Sequence, residues 1–162
     1  MKFIIDASCI IAFYSKNELN NPNLLNKLSE KGYELIIPQK VYDEIKKGNK
    51  PTIKMLEQAI KNGIIQVDQD SSTEEIIKYK NRYPRLDDGE IQVLLLGYVC
   101  KNNNEKYRCV IDEGPGRKVA NELSLCLTGT KGIIVLLEQL KIITPTTQET
   151  LFKSLRESNF RT

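Results

Sequence analysis

Five short apolar, β-prone runs recur along this chain, and helical sequence separates each from the next. The runs are Lys2 to Asp6, Glu34 to Pro38, Ile64 to Val67, Tyr107 to Asp112 and Leu125 to Leu127. Between them lie signals of the helical period and its punctuation. Ser8 begins one helical stretch, and Asn21-Pro22 opens another with Leu24, Leu25 and Leu28 on one face, stopping at Gly32. Gln39 to Lys47 carries Val41 and Ile45 and ends at Gly48, and Pro51 restarts a helix that Asn62-Gly63 terminates. Ser71 or Ser72 caps a charged helix running to Tyr83-Pro84, and a long apolar helix spans Asp87 to Lys101. Gly114-Pro115-Gly116 turns the chain into a further helix, Thr128 to Gly132 leads into IIVLLEQL, and an amphipathic helix covers Thr147 to Ser158. Apolar strands alternating with helices predict a mainly parallel sheet covered on both faces, a three-layer α/β/α sandwich. Residues 1–145 form its body, and the helix and tail of 146–162 belong to the same single domain.

Sheets of this kind bind ligands at the carboxyl ends of their strands. That rule selects Asp6 and Asp112, which each follow directly on a strand's apolar run. A carboxylate there is costly to desolvate unless it is hydrogen-bonded, paired or bound to a cation. Asp6 reads alternatively as an N-cap for the next helix, and Asp112 as the side-chain acceptor of the Gly-Pro-Gly turn. Taken together they argue for a shared cation, since two strand-end acids converging on one crevice repel each other. Glu44, in PQKVYDEIKK, lies beside the face carrying Val41 and Ile45, and its bland reading is a solvated helix glutamate. In RLDDGEIQVLLLG, Asp87 and Glu90 match the D-x-x-E spacing of a capping box. Glu90 also shares a face with Val93, Leu94 and Gly97, which turns it toward the sheet.

The most informative fact of composition is that the chain has no histidine. Ser-His-Asp triads, histidine phosphotransfer and most catalytic zinc sites are thereby excluded. Hydrolysis by this chain has to rest on carboxylates, cations or metal. The four cysteines, Cys9, Cys100, Cys109 and Cys126, form no C-x-x-C pair and read as reduced core thiols. A net charge of +3 does not by itself mark a nucleic-acid binder, and the lysines of KKGNKPTIK read as a solvated face. No apolar run reaches the roughly 20 residues that span a bilayer, so no membrane association is expected. MKFIID lacks the apolar stretch of a signal peptide, and the expected location is cytoplasmic.

The succession FIIDAS, PQKVYDEI, LDDGEIQVLLLG, VIDEGPGRKVA and LTGTKGIIVLLEQLKII resembles the PIN-domain family over about the first 143 residues. Single motifs are weak, but five in the correct order are fairly specific. The resemblance is strongest to the VapC-like ribonuclease branch with a GE third-acid motif and a C-terminal TGT-x-G. It implies metal-dependent cleavage of RNA, with Asp6, Glu44, Glu90 and Asp112 as the four acids in family order. Many members carry Asp as third acid where this chain has Glu90. Asp88 and Glu113 are nearby acids without an assigned role. Thr130 matches a small hydroxyl residue near the metal site, at a helix N-terminus suited to phosphate contact.

Oxygen ligands without a His or Cys cluster suit Mg²⁺ or Mn²⁺. Asp6, Glu90 and Asp112 are then the principal ligands, directly or through water, with Glu44 behind them. Arg117, Lys118 and Lys131 are candidate phosphate contacts. The resemblance further implies single-stranded or looped RNA as substrate, a small antitoxin as partner and a homodimer. Three rival readings remain. One is a PIN fold that only binds RNA or a protein. A haloacid-dehalogenase-like phosphatase would need an acid two residues after Asp6, where this chain has Ser8, and a phosphoacceptor domain would need an acidic pair after the first strand.

Overall fold

The computed structural model describes residues 1–48, 50–69, 73–112 and 114–158. The predicted cap at Ser71 or Ser72 and the acid Glu113 lie outside the described residues. Strands β1 (Lys2–Ile5), β2 (Glu34–Pro38), β3 (Ile65–Asp68), β4 (Tyr107–Val110) and β5 (Leu127–Thr128) form a five-stranded sheet in the order β3-β2-β1-β4-β5. Every pairing is parallel, with Ile4 opposite Ile36 on one side and Cys109 on the other. The predicted α/β/α sandwich is what the chain builds.

Helices α1 (Ala7–Tyr14) and α2 (Asn23–Glu30) connect β1 to β2, and α3 (Gln39–Gly48) and α4 (Lys50–Lys61) connect β2 to β3. The chain then returns through α5 (Thr73–Arg82) and α6 (Asp88–Asn102) to β4 on the other side of β1. Strand order therefore reverses between β1 and β4, and that is where a crevice opens at the carboxyl edge of such a sheet. After β4 come α7 (Gly114–Glu122), β5, α8 (Thr130–Gln139) and α9 (Pro145–Glu157). Gly32 at φ +93° and Gly63 at φ +74° end the helices before β2 and β3 in a backbone region that side chains disfavour.

Several boundaries move by a residue or more. Helix α1 starts at Ala7 with Asp6 at its N-cap, one position before the predicted start. Gly114-Pro115-Gly116 is itself the first turn of α7, because proline is accommodated in the opening turn, where no backbone N–H is required of it. Strand β5 lies at Leu127–Thr128, two residues beyond its expected start, because its register follows Cys109 and Val110 of β4. Cys9, Cys100 and Cys109 are buried thiols as expected, whereas Cys126 is exposed just before β5.

Helix α6 organises the interior. It packs on β1, β2 and β4 and against α3, α5 and α7. Residues 89–95, Gly97 and Cys100 are all buried on it, so its first two turns are covered all round, while Tyr98 and Val99 are exposed further along. Two polar side chains are carried into this environment. Gln92 accepts a hydrogen bond from Lys40 N in the first turn of α3 at 2.7 Å, while Glu90 belongs to the centre described next.

Candidate metal centre

The carboxyl edge of the sheet collects acids from four elements. Asp6 follows β1, Asp112 follows β4, Glu44 projects from α3, and Asp87 and Glu90 stand at the start of α6. The capping box predicted for LDDGE is present. Asp87 Oδ1 accepts from Glu90 N at 2.8 Å, and Glu90 Oε2 accepts from Asp87 N at 3.1 Å. This reciprocal pair fixes both carboxylates relative to the helix end and contributes about 1 kcal/mol.

Asp6 occupies the N-cap of α1 with an extended backbone, yet its side chain makes no capping hydrogen bond. It is 5% exposed, and its Oδ1 has no hydrogen-bond partner among the described residues. Burial pushes the Asp6 carboxyl well above the ordinary range. The Asp87 charge adds to this, the Ala7 N–H opposes it, and Glu90 and Glu44 push it further up. The largest charges acting on Asp6 are those of three carboxylates, Asp87, Glu90 and Glu44.

Asp112 sits in a different environment. Its Oδ1 accepts from Thr130 N at 2.7 Å, and its Oδ2 accepts from Thr130 Oγ1 at 2.6 Å and Ser8 Oγ at 3.1 Å. Burial raises its pKa, while these donors and the Arg117 charge hold it down. Thr130 directs both its donors at Asp112, so its place at the α8 N-terminus serves that carboxylate. A Cβ at Gly129 would come within 2.7 Å of Asp112 Oδ1, so this junction has no room for a side chain.

The closest mutual grouping of ligand atoms among the described residues unites Asp6, Glu44 and Asp87, one oxygen from each lying within 4.8 Å of the others. Glu90 and Asp112 stand beside that triad. Glu90 is 3% exposed, with Oε2 turned back to the helix end. The other residues named from sequence separate by direction. Arg117 Nη1 donates to Ile111 O at 2.7 Å and Thr128 O at 3.4 Å, tying together the ends of β4 and β5. Asp88 turns away to Lys80 of α5 at 3.0 Å. Lys118 and Lys131 are exposed.

Three contributors escape a reading of the sequence. The D-x-x-E spacing marks Asp87 as a cap only, although an N-cap carboxylate has a second oxygen free to face outward. Ser8 reaches Asp112 across 104 residues of chain. Gln92 ties α3, and with it Glu44, to α6. The signal for Gln92 is present as the one amide interrupting an apolar run, whereas the pairing of Ser8 with Asp112 has none, since it exists only when β1 and β4 are neighbours.

A hard divalent cation fits this site. The donors are all oxygens, the buried Asp6 Oδ1 lacks a partner among the described residues, and the surrounding carboxylates repel one another. A family model described as a PIN domain matches residues 2–162. No curated protein matches the chain.

Proposed function

Because the chain belongs to the PIN-domain family, whose fold is nuclease-like, we propose that it is a Mg²⁺- or Mn²⁺-dependent endoribonuclease acting on single-stranded or looped RNA. The observation that carries this reading is the triad of Asp6, Glu44 and Asp87, in which the buried Asp6 keeps one carboxylate oxygen without a partner among the described residues. A module that only bound RNA would gain nothing from clustered carboxylates facing a polyanion. The same cluster is what a phosphodiesterase needs to hold cations against a phosphate.

Asp6, Glu44 and Asp87 hold the ion in this reading, and Glu90 and Asp112 complete the acidic surround directly or through water. When bound, the ion lowers the pKa of a water and stabilises charge on the departing oxygen, which supplies the base that a chain without histidine lacks. The protein's own groups do the positioning. The capping box fixes Asp87 and Glu90, Gln92 fixes the helix of Glu44, and Thr130 and Ser8 orient Asp112. The motif order also supports a place in the VapC-like branch with its GE and TGT-x-G motifs, and with it the role of a toxin held inactive by a small antitoxin. Suppression of cleavage by a co-expressed small protein tests that role.

Asp87→Asn tests the metal reading. Asparagine caps helices as well as aspartate does but is a poor ligand for a hard cation. Calorimetry with Mn²⁺ should show ion binding by the parent and at least a tenfold loss in the variant. Cleavage of an end-labelled single-stranded RNA should fall in parallel, with the metal-free melting temperature unchanged or a few degrees higher, because the variant also relieves the repulsion on Asp6. Equal Mn²⁺ affinity in both proteins, or no cleavage by the parent with either ion, overturns the reading.

A further inference from the structure

A cleft of about 610 Å³ opens between the α5–α6 connection and α7, and its lining residue Leu86 is the sequence neighbour of Asp87 in the acidic centre. It falls in the size range of sites that take small molecules, roughly 300–1,000 Å³. Leu86 and Val119, both buried, form its floor, while Tyr83, Pro84 and Pro115 line its walls. Around it stand the exposed cations Arg82, Arg85 and Lys118 against the one acid Glu122 among its described lining residues. The Arg82 guanidinium lies 5.4 Å over the Tyr83 ring, so the aromatic wall also carries positive charge. Chain connectivity fixes the cleft's position. Leu86 precedes the triad residue Asp87, and Pro115 precedes Gly116, where a Cβ would come within 3.3 Å of Glu90 Oε1.

We propose that this cleft is a nucleotide subsite, receiving an unpaired base of single-stranded RNA while the flanking phosphates rest on Arg82, Arg85 and Lys118. The inference rests on the ribonuclease reading and adds where the strand lies. A centre of five carboxylates repels phosphates, so neighbouring cations decide the path of a polyanion across the surface. An aromatic and proline wall with a cationic rim matches the two faces of a nucleotide, since any base offers a flat apolar surface and each linkage a charge. Two other clefts offer no such balance. One is lined by Lys27 with Glu30, and another by Lys2 with Glu34 and Asp68. A base inside a duplex is stacked and paired and cannot enter without being flipped out. The occupant is therefore an unpaired nucleotide, taken with little preference for sequence.

Fluorescence anisotropy with labelled ten-nucleotide oligo(U) and oligo(A), and with a ten-base-pair RNA duplex, tests this without cleavage in EDTA and in Ca²⁺. The single strands should bind at least tenfold tighter than the duplex. Tyr83→Leu, which keeps apolar volume but removes the ring, should weaken single-strand binding by roughly tenfold, while Tyr83→Phe binds like the parent. Replacing Arg85 and Lys118 together by alanine should lower the salt-dependence slope by about 1.4, which is about 0.7 for each phosphate no longer neutralised. Lys27→Ala, in a different cleft, should change neither quantity. Circular dichroism establishes that each variant is folded.

The proposal is overturned if the duplex binds as well as the single strands, or if the parent binds no single strand in either buffer. RNA affinity untouched by the Tyr83 and Arg85/Lys118 variants also overturns it and leaves the groove to a protein segment. Cleavage that persists while those variants bind like the parent removes the subsite alone. Cleft-dependent binding by a protein that never cleaves with Mn²⁺ removes the ribonuclease reading alone.

Discussion

Asp6→Asn should make the metal-free protein more stable, although it alters a buried residue at a helix N-cap. The side chain forms no capping bond, and its Oδ1 lacks a partner among the described residues. Little favourable interaction therefore disappears, and the amide can donate to the carboxylates around it. What is removed is repulsion. Two unit charges 4.8 Å apart, the limit that encloses the triad, interact by about 1 kcal/mol in bulk water and about 3.5 kcal/mol at an effective dielectric constant of 20. Glu44 and Asp87 are exposed, which favours the lower part of this range. A gain of about 2 kcal/mol follows, or a rise in melting temperature of about 4–8 °C for a chain of this size.

The sign with pH is definite. The pKa of Asp6 is raised in the folded state, so the folded chain binds more protons than the unfolded one, and the parent loses stability as pH rises through the ordinary aspartate range toward the raised value. The advantage of the variant should be largest at neutral and higher pH and vanish below about pH 4, where Asp6 is protonated in both states. Calorimetric melts of both proteins in EDTA, repeated with Mn²⁺, measure all of this. A hundredfold excess of Mn²⁺ over its dissociation constant should raise parent stability by about 2.7 kcal/mol and leave the variant almost unmoved. A variant that melts below its parent in EDTA at pH 7 would refute the reasoning and return Asp6 to a capping role.

Glu90→Gln should abolish Mn²⁺-dependent cleavage while leaving stability within about 0.5 kcal/mol, because the amide oxygen can still accept from Asp87 N; single-turnover assays and melts decide, and parental cleavage rates count against Glu90. Thr130→Val deprives the buried Asp112 Oδ2 of its 2.6 Å donor and should lower stability at pH 7 by about 2 kcal/mol in denaturant titrations, whereas Thr130→Ser restores most of it. Gly97→Ala sets a methyl group against Cys109 Sγ where α6 crosses β4. The overpacking should outweigh the better helix propensity and cost about 1–2 kcal/mol, and adding Cys109→Ala should recover part of that loss if the clash is its cause.

The sequence by itself determined the architecture and the end of the molecule where chemistry sits. Apolar runs too short for anything but buried strands, alternating with helices closed by Gly32, Gly48 and Gly63, leave few alternatives to a parallel sheet. Asp6 and Asp112 then fall at the carboxyl edge, and the missing histidine narrows hydrolysis to carboxylates, cations and metal. The capping box was equally legible, since Asp87 and Glu90 are three residues apart on one helix and need no distant partner. Only the tertiary structure decided how the acids divide their work. Asp112 is held by Thr130 and Ser8 because β5 and β1 flank β4, Arg117 is drawn inward by carbonyls at two strand ends, and Asp87 reaches Asp6 because α6 lies across the sheet. Periodicity places a side chain on a face of its own element. Which carboxylate faces another, and which finds a donor first, depends on groups brought together from distant parts of the chain.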